Sequence, residues 1–429
     1  MNNMIRDLKD YLLLWGTQSL SALGSGMTNF ALILWLYQKS GSALETALLS
    51  ICSYAPYVAM SIFAGALSDR WNKKRTMLVC DSLAAACTVA VLILLRMNRL
   101  EPWHMYLLNA VNGLMNTVQA PASEVAATLL TPRRYYQQTC GLRSFSQSLN
   151  TILTPVFASA LFAFSGMEVV IAVDLATFII AFVTLLALIR IPEAPRTDVP
   201  AEKLLDSARQ GLRWLKGNPM VLKLILFLAF INLVASANSA TLPAMVIPRE
   251  NGGETALGLV NTFIGVATLL GSLLATWLPA PRDRIRIVHR TMLFSMSTEN
   301  FILALTRTPP LWCFGSVLGW LPVPIMGASL DVVMRSSIPP EMQGRVYACR
   351  NTLQFFTIPI GYFLGGLLVD KAFEPLMART PAVSLLARLV GTGKGSGAAL
   401  MMLVLGFAGV AVCLIFGVLL RKYHWTDER

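Results

Sequence analysis

Four carboxylates stand inside long apolar stretches of this sequence: Glu124, Asp174, Glu299 and Asp331. A charge at the centre of a membrane helix costs on the order of 3 kcal/mol, so it persists where it is paired, hydrated or useful. Two of them have a base at a telling distance. Glu124 lies eight residues before Pro132 and Arg143 eleven after it, and Asp331 and Arg350 stand in the same relation to Pro339. Each acid and its arginine thus sit one to three turns from a shared proline-marked turn, within reach of pairing. Such pairs either hold a helix bundle together or release their arginine when the acid takes a proton. Asp174 has no base within a helical turn, and three chemistries fit it: proton carriage, packing polarity, or contact with a cationic ligand.

Polar side chains form a second group. Gln18, Ser25, Thr28 and Asn29 lie in one apolar stretch, and Asn232, Ser236, Asn238 and Ser239 in another. With Trp15, Phe30, Trp35 and Phe230 nearby, they suit either a small-molecule cavity or hydrogen bonds between helices. The three histidines and seven cysteines show no metal-ligand spacing, and no nucleophile-base set or phosphate loop is present, so neither a metal nor an enzyme is expected.

The elements that must position these residues follow from composition. Of 429 residues, 55% are hydrophobic and 14% charged, with a mean hydropathy of +0.59. That excludes a soluble globular enzyme, since soluble chains carry about 25% charged residues. A helix crosses the hydrocarbon core with about 20 apolar residues. Twelve such stretches occur: 11–37, 44–67, 76–96, 103–130, 138–164, 168–190, 220–247, 256–279, 288–306, 310–335, 344–370 and 397–420. Asp81, Glu299 and the Pro322/Pro324 pair interrupt the third, ninth and tenth. Backbone groups in lipid must bond internally, so the expected fold is all-α, an integral membrane protein of twelve helices.

An even number of spans puts both termini on one side. With that side cytoplasmic, 26 of the 35 basic residues fall in inside segments, as the positive-inside rule requires. The net charge of +12 is thereby accounted for by the lipid bilayer, without nucleic acid. Residues 191–219 are long, charged and proline-bounded, with Leu204, Leu205, Ala208, Leu212 and Leu215 at helical spacing. They read as a cytoplasmic linker with a short amphipathic helix on the membrane surface, between six-helix bundles at 1–190 and 220–429. A shift of 207 residues lays Glu124 on Asp331, Pro132 on Pro339, Arg143 on Arg350 and Gln147 on Gln354. The halves are a parallel repeat, an arrangement in which substrate sites lie near the midplane.

Between the second and third spans runs Gly65-Ala66-Leu67-Ser68-Asp69-Arg70-Trp71-Asn72-Lys73-Lys74-Arg75, which resembles the loop signature of the major facilitator superfamily. The degenerate second copy, 278–284, keeps the basic residues without the Asp-Arg order. Ala172 to Phe178, Asn232 to Ile247, Pro339 to Arg350 and Gly391 to Gly397 extend the resemblance to the bacterial drug-antiporter group that includes macrolide-efflux proteins and siderophore exporters. Where such antiporters often carry G-P-x-x-G-G in the fifth span, this chain has Thr154-Pro155-Val156-Phe157-Ala158-Ser159, without the glycines.

The resemblance implies a secondary transporter of the bacterial cytoplasmic membrane, with both termini inside, that exports small amphipathic molecules by proton antiport through alternating access. The proton gradient is then its energy source, no cofactor is needed, and one chain supplies both halves, so a monomer suffices. A dedicated metabolite, siderophore or lysolipid exporter, and a transport-inactive sensor or exporter partner, stay open. The resemblance also implies that Gly65, Asp69, Arg70, Lys73 and Lys74 form a cytoplasmic latch, with Gly361 and Gly365 as the small-residue face that meets the second helix.

Overall fold

The computed structural model describes residues 6–70, 72–132, 135–192, 204–279, 281–339 and 342–423. The helices are α1 (Lys9–Ser40), α2 (Ala43–Arg70), α3 (Lys73–Arg96), α4 (Pro102–Leu129), α5 (Tyr136–Val183), α6 (Leu204–Gly217), α7 (Pro219–Val246), α8 (Glu254–Trp277), α9 (Arg284–Leu305), α10 (Pro309–Trp320), α11 (Val323–Ser337), α12 (Gln343–Phe355), α13 (Thr357–Leu368), α14 (Glu374–Arg379), α15 (Leu385–Val390) and α16 (Ser396–Leu420).

Nine stretches among the described residues are long and apolar enough to cross a membrane. One of them, Phe145–Leu188, turns at Gly166, where φ is 79°, a conformation glycine adopts without a Cβ penalty, so α5 makes two passes. The helices α4 and α9 are of similar length but carry Asn109, Asn112, Asn116 and Gln119, and Arg286, His289 and Glu299, which lower their hydropathy. Two expected spans are broken. Pro322 separates α10 from α11, and the break lets α8 come close: a Cβ on Gly271 would lie 3.0 Å from Pro324 Cδ. Pro359, which lacks an N–H, stands in the first turn of α13 after the break at Phe356, and Thr357 donates there to the Ala229 carbonyl of α7 at 2.8 Å.

The chain forms two compact units, Met1–Lys39 with Leu48–Val199, and Ser40–Ala47 with Pro200–Arg429. In the first, Leu14, Met77, Ala122, Ala126, Leu185 and Ile189 form a buried cluster that joins α1, α3, α4 and the end of the sixth pass. Trp15 Nε1 donates to the Leu142 carbonyl, so this side chain ties α1 to α5.

In the second unit α7 packs against α13 and α16. Within this unit Gly361 abuts the Leu233 carbonyl and Gly365 the Ala237 carbonyl, both on α7. It is Gly366 that accommodates the start of α2, with Leu44 Cα 2.6 Å from where its Cβ would stand. Asp370 then accepts from the backbone N–H groups of Ala43 and Leu44 and from the Ser42 hydroxyl, which satisfies the donors of that first turn.

The linker helix α6 packs against α12. Its Gly211 lies against the Arg345 carbonyl and Cys349 Sγ of α12, and Leu215 is buried. That approach to α12 is open only to a residue without a Cβ at 211, while Leu212 of the apolar face stays exposed.

Candidate functional site

Within the first unit α1, α2, α3, α4 and the second arm of α5 enclose a cavity of about 80 Å³, room for several waters. Its lining is polar on several sides, with Ser25, Thr28 and Asn29 from α1, Asp81 and Thr88 from α3, and Asn112 and Asn116 from α4. Asp174 of α5 closes it at 4% exposure. No basic side chain is among the described residues that line it.

The backbone explains how Asp174 comes to face α1. Gly24 and Gly26 flank Ser25, and a Cβ on Gly24 would lie 3.0 Å from Asp174 Cα, while one on Gly26 would lie 2.9 Å from Thr154 Oγ1. The two helices can approach only because these positions lack side chains. Ser25 then donates to Asp174 Oδ1 at 2.9 Å. The hydroxyls of Thr28 and Thr88 flank the same carboxyl, and Thr28 Oγ1 is buried there outside hydrogen-bonding geometry.

Asp81 is the acid that sequence reasoning treated only as an interruption. Gln119 Nε2 donates to its Oδ1 at 2.6 Å and Gln18 Nε2 to its Oδ2 at 3.2 Å. Gln18, expected to line a substrate cavity, therefore orients an acid. The sequence did hold a signal: a lone carboxylate in a 24-residue helix otherwise fit to cross lipid.

The other candidates fall into three groups. Of the four cavity candidates, only Asn29 lines the cavity. Asn232 donates to the Gln354 carbonyl at 3.1 Å, and Asn238 donates to Asn300 Oδ1 at 2.6 Å with both side chains buried. These two asparagines join helices of the second unit. Both expected ion pairs are brought together. Arg143 meets Glu124 at 2.6 Å in an exposed position, while Arg350 lies 3.9 Å from Asp331 and donates through Nε to Gln354 Oε1 at 3.1 Å. Glu299 is buried with one oxygen accepting from Trp320 Nε1 at 3.0 Å.

In the loop motif, Gly65, Asp69 and Arg70 lie in the last turns of α2, where side chains fall outside the described residues. Lys73 is buried, and Lys74 Nζ donates to the carbonyls of Leu186, at 3.0 Å, and Ile189, at 2.7 Å. Those carbonyls lie in and just after the widened turn Thr184–Leu188 that ends the sixth pass, so Lys74 acts inside its own unit.

Residues 8–392 match the family described as transmembrane secretion effector, a branch of the major facilitator superfamily. The chain belongs to that family. It is a multi-pass membrane transporter, and not an enzyme. It is similar to Macrolide efflux protein A of Streptococcus pyogenes, 24% identical over 85% of this chain and 90% of the relative. It is equally similar to Multidrug efflux pump Tap of Mycolicibacterium fortuitum, 24% identical over 86% and 90%. Its fold matches the inward-facing, occupied crystal structure of a bacterial homologue of the human lysosomal transporter Spinster, with a TM-score of 0.73 at 14% identity over 97% of this chain and 98% of that one.

Proposed function

We propose that this transporter exports small amphipathic molecules, drug-like or macrolide-like, from the cytoplasm in exchange for protons, and that Asp174 and Asp81 handle the proton. The observation that carries the reading is the cavity itself. Two carboxylates of one unit border the same small cavity, and no base is among the described residues that line it. Two acids that share a small cavity without a cation are costly to keep ionised together, so such a pair can take up a proton and release it. Ser25, Gln18 and Gln119 hold the oxygens in place, which lets a proton bind without rebuilding the site.

The names of the relatives support efflux of macrolides or drugs as the activity. The excess of Lys and Arg in alternate connections supports cytoplasmic termini, and the complete pair of halves in one chain supports a monomer. The test is efflux of a fluorescent amphipathic cation and of a labelled macrolide from cells, with and without collapse of the pH gradient, for the native chain and for Asp174→Asn and Asp81→Asn. Gradient-driven efflux that either variant abolishes at normal surface expression supports antiport. Efflux indifferent to the gradient sinks it, and no efflux of either compound leaves a dedicated metabolite exporter as the better account.

A further inference from the structure

Large aliphatic side chains on a connection between spans are unfavourable in water, by roughly 25 cal/mol for each Å² left exposed. The connection from α14 to α16 carries several. Val383 is 76% exposed and Leu385 73%, with Leu386 and Leu389 exposed beside them. The stretch is nonetheless firmly tied. Ser384 caps α15 by accepting from the Ala387 N–H, Arg307 donates to the Arg388 carbonyl at 2.9 Å, and Arg249 donates to the Val390 carbonyl at 2.8 Å. A fixed run of exposed leucine is a surface with a purpose.

Its neighbours say what covers it. α15 packs against α9 and α16, at the level where α9 ends at Leu305 and α16 begins at Ser396. This is the end of the unit opposite α6. Near this end the large exposed side chains of those two spans are apolar: Leu305, Val404 and Phe407, the last packing edge-on against Phe301. The leucines of α15 continue that lipid-facing band. Arg379 and Arg388 are exposed at its rim. Three exposed leucines on a helix of six residues, with Val383 just before it, fall short of the roughly 800 Å² per partner that a stable protein contact needs.

We propose that residues 381–390 are immersed in the interfacial zone of the bilayer, with Leu385, Leu386 and Leu389 among the acyl chains and Arg379 and Arg388 at lipid phosphates. This surface is independent of the transport reaction and of the acid-lined cavity.

The test uses the full chain with its native cysteines changed to serine, in nanodiscs of phosphatidylethanolamine and phosphatidylglycerol. A nitroxide is placed through Leu385→Cys, Leu389→Cys or, as the exposed control, Thr392→Cys. Relaxation by oxygen, which concentrates in lipid, is compared with relaxation by a water-soluble nickel chelate. Oxygen should dominate several-fold at 385 and 389, and nickel at 392. Nickel dominating at 385 overturns the proposal, and so does exclusion of both, which would mean a protein contact. Should the cysteine-free chain fail to fold, a photo-crosslinking residue at 385 of the otherwise native chain replaces it. Lipid adducts then support the proposal, and crosslinks to protein overturn it.

Discussion

The Ser25 hydroxyl stands 2.9 Å from Asp174 Oδ1 across 149 residues of sequence, held there by a glycine on either side of the serine. This contact joins the first span to the sixth and sets the orientation of the acid that borders the cavity. It also makes the proposed coupling separable into a carrier and a positioning group. Asp174→Asn should abolish gradient-driven efflux. Ser25→Ala removes one hydrogen bond, worth about 1 kcal/mol net, and should weaken efflux by about fivefold with Ser25→Thr restoring part of it. Equal losses in Ser25→Ala and Asp174→Asn would contradict this division.

The glycines make a prediction about stability. Gly24→Val and Gly26→Val would drive side chains into Thr177 and Asp174, and into Thr154. Overpacking of this kind costs typically 1–3 kcal/mol. Thermal unfolding in detergent should show lowered midpoints for both, whereas Gly16→Val, at a position with open space, should leave the midpoint unchanged.

Lys74 is expected to act on the end of the sixth pass. Lys74→Ala leaves the carbonyls of Leu186 and Ile189 without this donor and should cost about 1–2 kcal/mol, seen as faster hydrogen exchange confined to residues 184–191. Lys74→Arg should recover most of the protection. If the alanine variant kept native exchange and lost only transport, a latch role would explain Lys74 better.

The two ion pairs should differ in weight. Glu124 and Arg143 are each more than half exposed, and a double-mutant cycle should return no more than about 1 kcal/mol for them. Arg350 is 15% exposed and also bonds Gln354, so Arg350→Ala should lower the unfolding midpoint more than Arg143→Ala, although the distance to its acid is longer. The reverse order would mean that burial is not what sets these contributions.

Sequence alone goes far on the fold because its signals are local. Runs of Leu, Val and Ile close to 20 residues long place most span limits within a few residues of those observed, and the Pro322/Pro324 pair marks the break in the tenth. The turn at Gly166 falls in the gap expected between the spans 138–164 and 168–190, although helix continues on both sides of it. The site is harder to read because its contacts are remote. Asp81 meets Gln18 and Gln119 at separations of 63 and 38 residues, and Asn238 meets Asn300 at 62. Polar residues within a span show that a partner exists, and only the packing shows which one. That is why Asn29 and Asn238, alike in the sequence, end respectively beside a cavity and inside a helix contact.

The Arg249 guanidinium bears on how this protein can be engineered. It donates to the carbonyls of Thr306, Val390 and Gly395, and burial beside Arg307 lowers its pKa to about 10, which leaves it charged at neutral pH. Three connections thus meet at one side chain, and an epitope tag grafted into any of them would pull on the other two.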